Sequence, residues 1–361
     1  MRITRVRTHR VVLPLRETFV TALRRTDVVE TLIVEVETDD GVIGLGEASQ
    51  VWQVTGESMD GARACIEGPL SAVVIGRDPE DLQAVLRDVR GAVVGNTSAK
   101  AAVDVALHDL LARSRGLPLF RMLGGAVAAV ETDVTLSVGD PDHLAASASA
   151  RVSEGFRTLK VKVAADERQA LRGIMAVRDA VGPDIAVRLD ANQAWTDKQA
   201  IRVIGDLEDA GAGVEFVEQP VLARDVSALE RVTRAVHTPV MADEAVFGIA
   251  DLVEIIHRRA VDMINVKLAK CAGIAVATTL LDLARECGLG TIVGSMMESP
   301  VGVAASASVA AAHGTTAVSD LDAAWWIRGV SAALGYEAGS VVVSARPGLG
   351  IESIEELERV G

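Results

Sequence analysis

The hydrophobic and polar positions change rhythm about a third of the way along the chain. Residues 2–13 (RITRVRTHRVVL) and 31–38 (TLIVEVET) alternate apolar and polar side chains, the period of a half-buried strand. Asp39-Asp40-Gly41 supplies a turn after the second run. Helical periodicity follows near 57–75 and 79–90, and a longer helix is predicted over 100–116, where Gly116 and Pro118 stop it. Strands followed by helices are an α+β pattern. The segment FRMLGGAV, with Gly124-Gly125, reads as a hinge.

Beyond residue 131 short apolar runs recur at intervals of under 30 residues: TDVTLSV (132–138), TLKVKV (158–163), IAVRLD (185–190), VEFVEQP (214–220), PVMADE (239–244), MINVKLA (263–269), TIVGSMM (291–297) and AVSDLD (317–322). Helix-like stretches separate them. Eight strand candidates and seven helices mean repeated βα units and a parallel sheet, and eight units favour a closed barrel over an open doubly wound sheet. No glycine-rich dinucleotide motif opens the first unit and no P-loop is present, which weakens a nucleotide-binding reading.

Composition narrows the function classes. The 361 residues are 49% hydrophobic but only 3% aromatic, so Val, Ala, Leu and Ile must fill the core, as buried parallel sheets require. The net charge of −14 argues against nucleic acid and anionic membranes as partners. Cys65, Cys271 and Cys287 are scattered and odd in number, which points to a reducing cytoplasm rather than a disulfide framework. The N-terminus lacks the apolar core of a signal peptide, and the apolar stretch at 299–312 is too short to span a bilayer. A soluble, cytoplasmic, homo-oligomeric protein is expected.

Strands buried on both faces should be apolar, yet these carry charges at or near their C-terminal ends: Lys160 and Lys162, Asp190, Glu218, Asp243, Lys267, then Asp320 and Asp322. From Lys162 to Lys267 the steps are 28, 28, 25 and 24 residues, one βα unit each. In a barrel all these ends converge on the mouth that carries active sites. Asp190, Glu218 and Asp243, from three adjacent strands, would repel one another unless a cation sat between them. With no His or Cys at these strand ends, Mg²⁺ is favoured over zinc. Asn192 is either an outer ligand or a helix cap. Lys160 and Lys162 share one side of their strand, and burial with mutual repulsion is expected to lower a pKa toward that of a general base. Lys267 falls four strands round, nearly opposite. Lys270, in the following loop, reads as structural or solvated. A metal flanked by lysines suits carbon-acid chemistry through an enolate.

At these residues the chain resembles the enolase superfamily, in its muconate lactonizing branch. The likeness rests on LKVK (159–162), RLDANQAW (188–195), VEFVEQP (214–220), MADEAV (241–246), INVKLAKCAG (264–273), GSMMES (294–299), PGLGI (347–351) and ALHDLLARSRGLPLFRMLGG (106–125). It implies an α/β fold, a modified (β/α)₇β TIM-like barrel (residues 126–325) under an N-terminal α+β capping domain (1–125), with a C-terminal segment (326–361) returning to the cap. It also implies Asp190, Glu218 and Asp243 as Mg²⁺ ligands, Lys162 and Lys267 as the acid–base pair, and Lys160 and Met297 at the substrate. His108 stands where this branch often has Trp.

Two local features choose among the branch's reactions. Asp320-Leu321-Asp322 is similar to the Asp-x-Asp by which dipeptide epimerases hold a substrate α-ammonium. TALRRT (21–26) is similar to a mobile cap loop whose arginine, here Arg24, meets a glutamate side chain. Trp325 and Trp326 depart from that subgroup. The expectation is a Mg²⁺-dependent dipeptide epimerase working by a two-lysine 1,1-proton transfer, with L-Ala-D/L-Glu as first substrate. The alternatives are an N-acylamino acid racemase, o-succinylbenzoate synthase or muconate cycloisomerase of the same superfamily, a Schiff-base lysine aldolase, or a non-catalytic barrel.

Overall fold

A computed structural model describes residues 1–21, 25–329 and 334–358. Strands β1 (Ile3–Val20), β2 (Arg25–Thr38) and β3 (Ile43–Ala48) form an antiparallel sheet in the order β1-β2-β3. The two alternating runs are therefore the inner parts of longer strands, which pair from Ile3↔Thr38 out to Val20↔Arg25. Pattern reading did not anticipate β3, because Gly44 and Gly46 interrupt its alternation. Both glycines serve packing. A Cβ on Gly44 would lie 2.2 Å from the Ala106 carbonyl oxygen, and one on Gly46 would lie 1.9 Å from that of Ala102. Only bare backbone lets the buried helix Thr97–Ser114 lie that close to the sheet.

The second region begins with β4 (Ala129–Glu131) and continues through a parallel sheet: β5 (Val134–Leu136), β6 (Thr158–Lys162), β7 (Ala186–Asp190), β8 (Val214–Glu218), β9 (Val240–Ala242), β10 (Met263–Lys267) and β11 (Gly290–Gly294). Neighbours in sequence are neighbours in the sheet. Seven helices alternate with these strands: 141–153, 167–181, 197–209, 226–235, 249–258, 274–286 and 300–313. The expected eighth strand is reduced to two parallel bridges, Thr132↔Ser319 and Gly294↔Asp320, which join the sheet's two edges and close the barrel. Asp320 and Asp322 leave little apolar surface there for a full strand to bury.

The tail forms a hairpin, β12 (Leu334–Glu337) and β13 (Ser340–Val343), that adds to β4. It then reaches the helix Thr97–Ser114, where Asp109 accepts from the Leu349 amide at 2.6 Å and Arg113 donates to the Ile351 carbonyl. The main core, built from Val, Leu, Ile and Ala, runs from the β1 end through the barrel. Among the described residues no helix is long and apolar enough to cross a membrane.

Candidate active site

The barrel strands are short, and the charged residues sit at their last positions: Lys162 ends β6, Asp190 ends β7, Glu218 ends β8, Lys267 ends β10, and Asp243 directly follows β9. Strand alternation turns each of them inward. Lys160, one step deeper, is 1% exposed. Its Nζ lies 3.0 Å from Asp190 Oδ2, 2.7 Å from Glu218 Oε2 and 2.7 Å from Asp320 Oδ2. Lys162 Nζ is 2.5 Å from Asp190 Oδ2, and Lys267 Nζ is 2.8 Å from Asp243 Oδ2.

For Lys160 this network reverses the expectation of a lowered pKa. Burial works against charge on Lys160, but Asp190, Asp320 and Glu218 outweigh it and hold the ammonium well above the ordinary lysine range. Lys267 is likewise raised, with Asp243 overcoming burial. Repulsion between neighbouring lysines is the smaller effect where three carboxylates lie within 3.0 Å of one ammonium. Burial also opposes charge on Asp190 and Asp243, yet adjacent lysines pull both below the usual carboxylate range. Glu218 behaves differently. Burial, helped by Asp190 and Asp243 and opposed by Lys160, pushes it up to about 7.

A cleft opens onto Lys162, Asp243, Lys267 and Asp320 of this network. Its barrel wall includes Lys162, Asn192, Asp243, Glu244, Lys267, Met297, Asp320 and Asp322, and Phe19, Thr21, Val51, Gln53 and Val54 face them from the cap. Lys162 and Lys267, four strands apart, both reach this cleft. Arg24 lies outside the described residues, while Arg25 is exposed.

Asn192 is not a helix cap. The next helix, Asp197–Asp209, is capped by Thr196 in a reciprocal box with Gln199. Asn192 instead donates to Glu244 Oε1 at 3.3 Å, and its Oδ1 is buried without a hydrogen-bond partner, as is Glu244 Oε2. Burial, then the charges of Asp243 and Asp190, push Glu244 up to about 8. Two orphaned oxygens beside two charged carboxylates form an oxygen-rich concavity suited to a hard cation.

A second acidic group lies nearby. Asp133, Asp320 and Asp322 each offer a carboxylate oxygen within 4.8 Å of the others. Asp133 is already matched by the fully buried Arg188, at 3.1 Å, and Arg188 also donates to the Val318 carbonyl at 2.7 Å. A dication there would face the fixed guanidinium of Arg188, in addition to the Lys160 ammonium that both acidic groups share.

Sequence reading passed over several residues at the site. Glu244 was hidden beside Asp243 in MADEAV. Lys270, read as structural or solvated, is structural. It is 1% exposed, 2.5 Å from Asp243 Oδ1, and donates to the Asp243 and Asn265 carbonyls, the latter at 3.1 Å. Its signal was the spacing Lys267-x-x-Lys270, which carries the chain one short helical turn back over the strand end. Phe19 and Thr135 gave no signal. Trp325 and Trp326 pack beneath the cap, edge-on to Phe156 and Phe19 respectively.

Comparison with known proteins agrees with this architecture. Residues 3–124 match the mandelate racemase / muconate lactonizing enzyme N-terminal domain, and residues 143–357 match the enolase C-terminal domain-like family. The chain belongs to the enolase superfamily, with the two domains of its mandelate racemase / muconate lactonizing enzyme group. It is 40% identical over 354 residues to the L-Ala-D/L-Glu epimerase of Bacillus subtilis, covering 97% of each chain, and the substrate-liganded structure of that epimerase superposes with a TM-score of 0.94 over 97% of this chain and 99% of the other. The dipeptide epimerase of Enterococcus faecalis, solved with Mg and L-Leu-L-Tyr, superposes with a TM-score of 0.92 at 36% identity, covering 98% and 100% of the two chains. The N-succinyl-L-Arg/Lys racemase of Bacillus cereus is 32% identical over 362 residues, covering 99% of this chain and 96% of its own.

Proposed function

We propose that this protein is a Mg²⁺-dependent dipeptide epimerase, an isomerase that inverts the carbon next to the dipeptide's terminal carboxylate, with L-Ala-D/L-Glu as the first substrate to try. The observation that carries this reading is the union, in one cleft, of two lysines four strands apart with the pair Asp320 and Asp322. The similarity to dipeptide epimerases over nearly the whole chain supports it.

Asp190, Glu218 and Asp243 are the proposed holders of Mg²⁺, with Asn192 or Glu244 as an outer partner. The donor set is all oxygen, as a hard cation requires, and the orphaned Asn192 and Glu244 oxygens lie beside it. We prefer this set to Asp133, Asp320 and Asp322 because the unpartnered oxygens of Asn192 and Glu244 adjoin it, whereas the fixed guanidinium of Arg188 adjoins Asp133. When bound, the ion would supply positive charge where the substrate carboxylate gains electron density and would compete with the lysines for the carboxylates.

The chain's own residues do the rest. With the charge of Asp190 and Asp243 engaged elsewhere, one of Lys162 and Lys267 can be neutral and remove the α-proton from one face, while the other, still an ammonium, returns a proton to the opposite face. Lys160, held charged, stabilises the enediolate between them. Met297 and Arg24 belong to the substrate-facing set in this proposal, Arg24 for an acidic side chain. Asp320 and Asp322 receive the free α-ammonium, which a muconate or an N-acylamino acid lacks. The setting is a cytoplasmic homo-oligomer with a cap of residues 1–125, a barrel of 126–325 and a tail of 326–361. A second reading, racemisation of N-succinylamino acids, has the Bacillus cereus relative in its favour.

Incubating the enzyme with L,L-dipeptide libraries in D₂O tests the proposal by mass. A gain of one unit on particular dipeptides, abolished by EDTA and restored by Mg²⁺, is expected. No exchange on any dipeptide with Mg²⁺ present would overturn it.

A further inference from the structure

Asp320 and Asp322 both line the cleft, but their partners differ. Asp320 Oδ2 sits 2.7 Å from Lys160 Nζ, an ammonium it shares with Asp190 and Glu218. Asp322 Oδ2 accepts from two neutral donors, the Thr135 amide at 2.6 Å and the Trp326 indole Nε1 at 3.0 Å. Among the described residues the ion pairs include no lysine or arginine on Asp322. Neutral donors fix a carboxylate's position without cancelling its charge. Of the two acids, Asp322 is therefore the one with no cation of this chain beside it, and the one an incoming ammonium would pair.

Trp326 is 2% exposed and does not itself line the cleft. Its ring is clamped edge-on between Phe19, at 5.0 Å and 80°, and Trp325, at 5.5 Å and 89°. A buried ring that changed rotamer would lose both contacts, which favours the orientation that points the indole N–H at Asp322.

We propose that Trp326 is a positioning residue for substrate selection, its indole N–H aiming Asp322 at the free α-ammonium of the substrate. This rests on the dipeptide reading and deepens it by assigning the ammonium's charge partner to Asp322 and the aim of that partner to Trp326.

The test compares a dipeptide that the wild type exchanges with its des-amino analogue, for example L-Ala-L-Glu and N-propanoyl-L-Glu, by α-deuterium incorporation. Two variants remove the donor. Trp326→Phe is the simple one. Replacing Trp326 by benzothienylalanine keeps the bicyclic shape and loses only the N–H, which covers the case where Trp326→Phe does not fold. Each is expected to lower kcat/KM for the dipeptide about tenfold, mostly through KM, with less than a twofold change for the des-amino analogue. On an Asp322→Asn background the same change should cost less than twofold. Equal losses on both substrates, or no loss on the dipeptide, would overturn the assignment while leaving the dipeptide reading intact. If the wild type exchanges no dipeptide, the dipeptide reading falls and this assignment with it.

Discussion

Replacing Lys270 by Met tests whether the buried lysine is part of the site's frame. The substitution nearly keeps the side chain's length and volume but deletes the ammonium. Three contacts go: the 2.5 Å pair with Asp243 Oδ1, the bond to the Asp243 carbonyl, and the 3.1 Å bond to the Asn265 carbonyl. Breaking a buried pair by removing one partner costs about 3–5 kcal/mol, because the other charge stays buried. Asp243 keeps Lys267 at 2.8 Å, so its charge is only partly stranded and the low end, about 3 kcal/mol, applies. At about 1.4 kcal/mol per decade that is a folding constant lower by about two orders of magnitude. Chevron-free equilibrium unfolding in urea, followed by far-UV circular dichroism, measures it. A lower midpoint at unchanged slope is expected. A loss under about 1 kcal/mol would refute the claim that Lys270 is a buried, paired charge.

Three further outcomes follow from the same geometry. Asp190→Asn, Glu218→Gln and Asp243→Asn should each abolish turnover and weaken Mg²⁺ binding by calorimetry, whereas Asp133→Asn should leave the Mg²⁺ Kd within about threefold; the reverse pattern would move the metal to the Asp133 cluster. Lys162→Ala and Lys267→Ala should each block epimerisation while allowing solvent exchange from the one enantiomer whose proton faces the remaining lysine, and full epimerisation by either would end the two-base scheme. His108 is buried, which opposes its charge, but Asp104 at 3.1 Å outweighs burial and raises it above its ordinary 6.5. Its contribution to stability is then complete below the unfolded value and fades as pH rises through the folded one, so the Tm advantage of wild type over His108→Gln should shrink toward alkaline pH, and growth of that advantage would contradict the pairing.

The strand-end charges were legible because a barrel strand has little reason to carry them, and repetition of the unit placed Lys162, Asp190, Glu218, Asp243 and Lys267 on successive strands. Their mutual electrostatics were not. Distances of 2.7–3.0 Å from Lys160 to three carboxylates decide the sign of its pKa shift, and spacing along the chain does not encode distances across it. The strand β3 escaped because Gly44 and Gly46 answer to a helix more than 50 residues later. Trp326 escaped because its function depends on an N–H direction favoured by its contact with Phe19, from the far end of the sequence. The eighth strand was overread: an Asp-x-Asp strand end needs only two bridges to close the sheet.

The central claim is that the substrate carries a free ammonium. The most direct measurement is kcat/KM of the Mg²⁺-loaded wild type for free L,L-dipeptides against N-succinylamino acids under the same conditions. A charge-assisted bond in this cleft is worth about 1.5–3 kcal/mol, so the best dipeptide is expected to lead by about tenfold to a hundredfold or more. An enzyme that turns over N-succinylamino acids faster than every free dipeptide would contradict the account.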